Sequence, residues 1–311
     1  MYSEDQALER YEAVYFFSRI SALIEDRIPQ LKDLEALESF GIHANVFHAT
    51  TKILVVNDLL SIKKNVFTLS EQQRHLHQKE LSRSIDHNLK AQCIALFEVA
   101  MLPRHFFFHS LSALEYEIYS KHNFQITYRT GERLVEHIDL ANQRVLEIGG
   151  NSGGLATAIL KTFRGCHYTI LDTPIPCDIG NLFKVENQVD LRFVAGDMFD
   201  IALPPEPFDT IVLMNILHDF DDGQCGAIIS QCLPYCHTDT RFLIVEDLLF
   251  GDYEPKVRIM HGLRLAVACR GGKQRTIDEF NALFLAQKLK VERTVDLCLN
   301  HTMLEVRVCR S

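Results

Sequence analysis

The sequence predicts a doubly wound α/β domain with an antiparallel C-terminal edge, preceded by a mostly helical segment with a small β-wing. Three observations carry this prediction. From residue 144 onward, short apolar runs ("RVLEIG", "HYTILD", "LRFVAG", "DTIVLMNIL", "RFLIVEDLL") alternate with helix-like segments. Runs so continuously apolar suit strands covered on both faces, and hence a parallel sheet. The first run leads directly into a glycine-rich turn, "GGNSGG", followed by a helical segment. At the other end, the helix-like "TIDEFNALFLAQKLK" precedes two strand-like runs, "VERTVDLCL" and "TMLEVRVCR", with only a short turn between them. Strands that close in sequence pair antiparallel, as a hairpin or with one inserted beside an earlier strand.

Before residue 144 the elements follow in order. Residues 5–25 read as a helix whose apolar residues Val14, Tyr15, Phe16, Phe17 and Ile20 cover more than one face. A helix wet on one side shows a narrower stripe. Either the monomer buries this helix all round, or a second copy of the chain covers it as a homodimer. Residues 30–70 suggest short helices and then two apolar segments around the turn-prone, basic "SIKKN", a winged-helix-like arrangement. Residues 71–90 are polar and solvated. The apolar "CIALFEVAMLPRHFFFHSL" follows, and its Phe106, Phe107 and Phe108 either join the core or line a ligand cavity. Residues 125–143 look mixed and helical. The expected division is a helical, dimerising and substrate-covering domain over 1–125 and an α/β domain over 126–311.

The bulk properties narrow the function. The 311 residues are 47% hydrophobic and 23% charged, which suits a buried core. A net charge of −9 argues against nucleic-acid and anionic-membrane partners, and so against a DNA-binding regulator. No apolar run approaches the ~20 residues of a membrane span. The acidic start, "MYSEDQALER", lacks the apolar stretch of a signal peptide. Nine scattered cysteines, an odd number, read as reduced thiols of a cytoplasmic protein. The spacing of Cys225, Cys232, Cys236 and His237 fits no zinc motif, so no metal is expected.

A glycine-rich turn lets backbone approach a ligand closely, and the helix after it offers free N–H groups. "GGNSGG" departs from the dinucleotide fingerprint by placing Asn151 at the third position, but Asn tolerates positive φ. Glu147 precedes the first glycine by two residues and points at the turn from the strand end. It would repel a pyrophosphate and attract an amine, such as the ammonium of a methionine-derived ligand; alternatively it caps the loop amides. Asp172 follows Glu147 by 25 residues, and Asp197 follows Asp172 by 25. One βα unit takes about that length, so all three acids should lie along the carboxyl edge of the sheet, where open α/β sheets bind ligands. Asp172 can accept from ribose hydroxyls. Asp197 can accept from an adenine amino group, with Met198 packed on the ring.

The segments "VLEIGGNSGG", "ILD", "GDMF", "ILHDFDD", "LIVED" and "GGKQRT", in that order, resemble class I S-adenosylmethionine-dependent small-molecule O-methyltransferases, the family of caffeic acid and hydroxyindole O-methyltransferases. The resemblance covers about 140–311 and implies a Rossmann-like domain behind a winged-helix-like dimerisation domain. Glu147, Gly149, Gly150 and Asn151 match the family's cofactor loop, Asp172 its ribose acid, and Asp197 with Met198 its adenine pair. His218 matches its catalytic base, with Phe220 where the family has tryptophan. Glu246 matches a carboxylate flanking that base. Gln274 stands where plant members carry a second flanking carboxylate, and Met214 where they carry a lysine.

The implied reaction is methyl transfer from S-adenosylmethionine to a hydroxyl of a small, aromatic, secondary-metabolite-type acceptor, leaving S-adenosylhomocysteine. His218 would take the acceptor's proton, and Glu246 would fix the tautomer and orientation of the imidazole. C- or N-methylation on the same fold, and a catalytically idle binding protein, are the alternatives.

Overall fold

A computed structural model of the chain describes residues 61–63, 66–68, 113–249, 265, 269, 272–297 and 301–309. The chain divides into two compact units. One comprises Met1–His109 with Gly251–Gln274, the other Ser110–Phe250 with Arg275–Ser311.

In the first unit, β1 (Ser61–Lys63) pairs antiparallel with β2 (Val66–Thr68), with Ile62 opposite Phe67. This hairpin stands where the wing was expected. Ser61, Ile62 and Lys63 belong to a strand, however, rather than to a turn spanning "SIKKN". The expected helix over 5–25, the winged-helix arrangement as a whole and the Phe106–Phe108 cluster lie outside the described residues.

The second unit holds helix α1 (Ala113–Leu134). The domain boundary expected between residues 125 and 126 falls inside this helix. A continuous helix packed along its length moves as one body, and α1 packs against α2 (Gly154–Thr162). The units part between His109 and Ser110 instead.

Seven strands form one sheet: β3 (Arg144–Ile148), β4 (His167–Asp172), β5 (Leu191–Ala195), β6 (Phe208–Met214), β7 (Cys236–Glu246), β8 (Leu289–Asp296) and β9 (Thr302–Val308). Their spatial order is β5-β4-β3-β6-β7-β9-β8. The first five run parallel. β9 lies antiparallel between β7 and β8, so the C-terminal strand is inserted. Helices α3 (Pro174–Asn187), α4 (Asp222–Cys232) and α5 (Ile277–Ala286) complete the unit.

These elements follow from local chemistry. Val145, Leu146, Ile211, Val212, Leu243 and Ile244 are fully buried, as expected of central parallel strands. Both α4 and α5 begin with reciprocal capping boxes, Asp221 with Gln224 and Thr276 with Glu279. β6 ends earlier than its apolar run because Asn215 takes φ 55 and turns the chain. The strand order reverses at β3, between β4 on one side and β6 on the other, which opens a crevice at their carboxyl ends.

Gly154 is the close-contact point of α1 and α2. An added Cβ there would collide with the Phe124 carbonyl oxygen and the Thr127 hydroxyl. Alanine gains about 1 kcal/mol of helix propensity over glycine in a helix interior, but overpacking against immobile backbone costs about 1–3 kcal/mol. Gly154→Ala is therefore expected to lower stability by up to about 2 kcal/mol, read as a lower urea midpoint with an unchanged slope.

Candidate active site

Past β3 the chain reverses through Gly149 (φ 70), Asn151 (φ 48) and Gly153 (φ 84). Asn151 thus adopts the left-handed conformation expected of it, and its Oδ1 accepts from Ser152 N at 2.7 Å. A Cβ on Gly149 would run into the Ile216 side chain and would lie 3.7 Å from the Met198 methyl. Gly149, Met198 and Ile216 are thereby brought together from three strand ends.

Asp172 closes this turn from β4. Its Oδ2 accepts from Asn151 N at 2.8 Å and its Oδ1 from Thr173 N at 2.7 Å. Asp172 thus ties the glycine turn to β4, in addition to the ligand role expected of it from sequence. A carboxylate has about four acceptor sites, so capacity remains. Burial raises its pKa, while the backbone bonds oppose that rise. Asp197 sits exposed beyond β5, its Oδ1 accepting from Phe199 N at 2.9 Å.

Glu147 lies beneath the turn and is 2% exposed. A Cβ on Gly150 would come within 2.8 Å of its carboxyl group. Its Oε2 and the Tyr168 hydroxyl are both buried without a partner of hydrogen-bond geometry. Burial pushes the Glu147 pKa up to about 8; Tyr168 lowers it and Asp172 raises it further.

Beyond β6, residues Leu217–Asp219 form a single 3-10 turn that carries His218. Its Nδ1 lies 2.7 Å from Glu246 Oε2, and its Nε2 lies 3.5 Å from Asp219 Oδ1. Glu246, at the end of β7 and 1% exposed, has a second task. Its Oε1 accepts from Ile216 N at 3.2 Å and from Leu217 N at 2.9 Å, so it holds the backbone of the turn as well as the ring. Burial alone would lower the imidazole pKa. Glu246, Asp219 and Asp247 outweigh it and raise His218 to about 9. The Glu246 pKa is correspondingly lowered: burial works against its charge, but His218 and the Leu217 amide overcome it.

Further positions belong to this edge and were not singled out from sequence. Tyr116 on α1 is buried, and its pKa is pushed up to about 12 by burial and by the charges of Asp172 and Asp219. One turn on, Ser120 Oγ is buried without a partner, while its carbonyl accepts from Ser152 Oγ at 3.1 Å. Asn215 Oδ1 meets His301 Nε2 at 3.0 Å, and His301 Nδ1 reaches Thr130 Oγ1 at 3.4 Å. Gln274 is buried and belongs to the other compact unit. Among the described residues no three His, Cys, Asp or Glu side chains converge as metal ligands. Cys225 Sγ instead donates to the Leu217 carbonyl at 3.1 Å, and His237 Nε2 lies 3.1 Å from Asp209 Oδ1.

Fold and site together define a doubly wound α/β protein whose sheet edge carries a glycine turn, a row of acids and a buried imidazole–carboxylate pair. The chain belongs to the O-methyltransferase domain family, which it matches over residues 80–289. It is 30% identical over 141 residues to acetylserotonin O-methyltransferase of Bos taurus, covering 45% of this chain and 40% of that protein. The matched region thus spans less than half of this curated relative. The fold is shared with an O-methyltransferase family 2 protein from Planctomyces limnophilus in complex with apigenin (TM-score 0.73, 18% identity, 97% of this chain and 92% of that one). It is shared as well with human N-acetylserotonin methyltransferase in complex with S-adenosylmethionine (TM-score 0.62, 19% identity, 98% and 94%).

The double task of Glu246 yields a test. In Glu246→Gln the amide oxygen must stay on the two backbone N–H donors, which leaves the NH2 group facing His218 Nδ1. That nitrogen then becomes an acceptor, and the ring proton moves to Nε2. The imidazole pKa is expected to fall from about 9, because burial remains while the Glu246 charge is gone and only Asp219 and Asp247 still raise it. Nitrogen-15 NMR of the histidine side chains, followed against pH, reads both the tautomer and the titration.

Proposed function

We propose that this chain binds S-adenosylmethionine at the carboxyl edge of its sheet and methylates a hydroxyl of a small aromatic acceptor, with His218 as general base. The buried His218–Glu246 pair, set at the same edge as the glycine turn, is the observation that carries this reading. The bovine relative's name and the apigenin complex support an aromatic acceptor. A homodimer built on the N-terminal helical segment, ahead of a cofactor-binding domain, is part of the same proposal.

The groups around the turn fit an aminated nucleoside. Ser120 Oγ is buried without a hydrogen-bond partner, Glu147 Oε2 is buried with only the Tyr168 hydroxyl acting on its carboxyl, and Gly149 and Gly150 leave space that a Cβ would fill. Gly149, Gly150 and Asn151 would receive the methionine portion, with Glu147 beneath its ammonium. The free acceptor sites of Asp172 would take the ribose hydroxyls, and Asp197 with Met198 the adenine. When bound, S-adenosylmethionine supplies a methyl group activated by a positive sulfonium.

The acids around His218 match its basicity to a phenol. A phenol has a pKa near 10, so proton transfer to an ordinary imidazole is uphill by on the order of 5 kcal/mol. With His218 raised to about 9, the same transfer is uphill by only about 1–2 kcal/mol. Glu246 orients the ring and stabilises the imidazolium that forms. Glu246, Asp219 and Asp247 supply that basicity.

Two outcomes follow. At pH 7 the Glu147 carboxyl, with a pKa of about 8, is mostly protonated. An ammonium settling beside it favours the charged form, so cofactor binding should release close to one proton from this group. Isothermal calorimetry in buffers of different ionisation heat measures that release, and Glu147→Gln should abolish it. Failure of the wild-type protein to bind S-adenosylmethionine or S-adenosylhomocysteine would sink the proposal.

His218→Ala should keep cofactor affinity and lower kcat by ~10²–10⁴. In the wild type, kcat/KM should rise with pH and level off above about 9, since the base form of His218 appears only as the imidazolium loses its proton. Near-wild-type turnover in His218→Ala would leave methyl transfer standing but remove His218 as its base.

A further inference from the structure

Arg275 is the largest fully buried side chain among the described residues, and its guanidinium is 0% exposed. A buried guanidinium needs its donors satisfied, because an unpaired charge in the interior costs several kcal/mol. Its partners are specific. Nη1 donates to the Leu217 carbonyl at 2.6 Å and Nη2 to the Phe220 carbonyl at 2.8 Å. Nε and Nη2 donate to Asp222 Oδ1 at 2.9 and 2.7 Å, and the guanidinium stacks 5.9 Å from the Phe280 ring centroid. Asp222 is itself 63% exposed, so the ion pair contributes little by itself. The two carbonyls flank the residues that carry His218.

That turn is three residues long, and a 3-10 segment of this length does not support itself. It is held from two sides. Glu246 accepts from the N–H groups of Ile216 and Leu217, while Arg275 donates to the C=O groups of Leu217 and Phe220. Leu217 therefore has its N–H on an anion and its C=O on a cation, with His218 next in the chain. Arg275 is in turn tied to the chain just past the end of β7, since its own carbonyl accepts from Leu249 N at 3.0 Å. We propose that Arg275 is a positioning residue for His218: its fork of donors fixes the carbonyls of Leu217 and Phe220 and so aims the imidazole. Lysine, with one point charge in place of a planar fork, holds at most one of these carbonyls well.

The inference rests on the methyl-transfer reading for its effect on turnover, but not for its effect on His218. Among the described residues, the charged groups facing His218 are Glu246, Asp219 and Asp247, with His301 acting on Glu246 from the other side. Arg275→Met, Arg275→Lys and Asp222→Asn are compared with wild type in the full chain. Expected for Arg275→Met is a fall in kcat on the order of 10²-fold with an unchanged KM for S-adenosylmethionine. The His218 pKa, read by NMR, should fall from about 9 toward 6.5 as its contact with Glu246 loosens. Arg275→Lys should recover part of both, and Asp222→Asn should show the same changes, smaller. If Arg275→Met does not fold, the Lys and Asn variants carry the test in the same directions. A cation that acted only through its charge would, on removal, raise the His218 pKa instead. Such a rise, or an unmoved pKa and kcat in the folded variants, overturns the proposal. If wild type transfers no methyl group to any phenol, the function fails, and the titration alone decides the role of Arg275.

Discussion

Five strands end together at the carboxyl edge of the sheet because one parallel register sets where each stops. Leu146 and Glu147 of β3 sit opposite Thr169 and Ile170 of β4 on one side and Ile211 and Val212 of β6 on the other. The ladders run one residue past the strands. Gly149 N donates to the Leu171 carbonyl, Gly196 N to that of Asp172 and Asn215 N to that of Val245, at 2.8–2.9 Å. A slip of one residue would send each of these side chains to the opposite face. Glu147 would leave the underside of the glycine turn, and Glu246 would lose the imidazole. The acids, the glycines and the histidine thus depend on the packing of Val145, Ile211, Val212 and Leu243, which fixes that register from both faces.

Glu147 and Glu246 show what a partner does to a buried carboxyl group. Both sit at strand ends of the same sheet and are almost wholly removed from water. Burial raises both pKa values. At Glu147 nothing offsets it fully, and the group rises to about 8. At Glu246 the imidazolium and the Leu217 amide reverse it, and the pKa falls below the ordinary carboxylate value. One residue type in one fold thus becomes a largely neutral group in one place and a persistent anion beside an imidazole in the other.

Much of this was legible in the sequence because it lay in period and spacing. Continuous apolar runs marked the five parallel strands, and equal spacing put Glu147, Asp172 and Asp197 on one edge. Close sequence spacing forced the final two strands antiparallel, although only the structure distinguishes insertion from a hairpin. What sequence missed depends on packing between elements remote in the chain. Tyr116 and Ser120 reach the site because α1 lies along α2, and no periodicity in α1 announces that face. Arg275 sat in plain view within "GGKQRT", yet nothing in its spacing says that its side chain reaches the carbonyls of Leu217 and Phe220. The expected boundary at 125/126 missed for a related reason: the change in composition near residue 144 marks where the sheet begins, and α1 joined the sheet unit ahead of it. For Asp172, an acid at a strand end signals a ligand, whereas its bond to Asn151 N arises only from the shape of the turn.

The insertion of β9 has a consequence for how the chain reaches this state. β7 carries Glu246 and has β6 on one side and β9 on the other. Until residues 302–308 have been synthesised, β7 is an open edge with Arg241–Glu246 unpaired on that side. Such an edge can pair with another chain. β8 has no sheet neighbour at all before β9 arrives between them. Sequence separations of this kind slow folding, since loop closure must precede the contacts that reward it. The nascent polypeptide can therefore assemble β3 to β7 early, while β7 stays open on one side until β9 arrives. A ribosome that stalls in this interval would display a half-built, aggregation-prone domain, the kind of intermediate that chaperones hold.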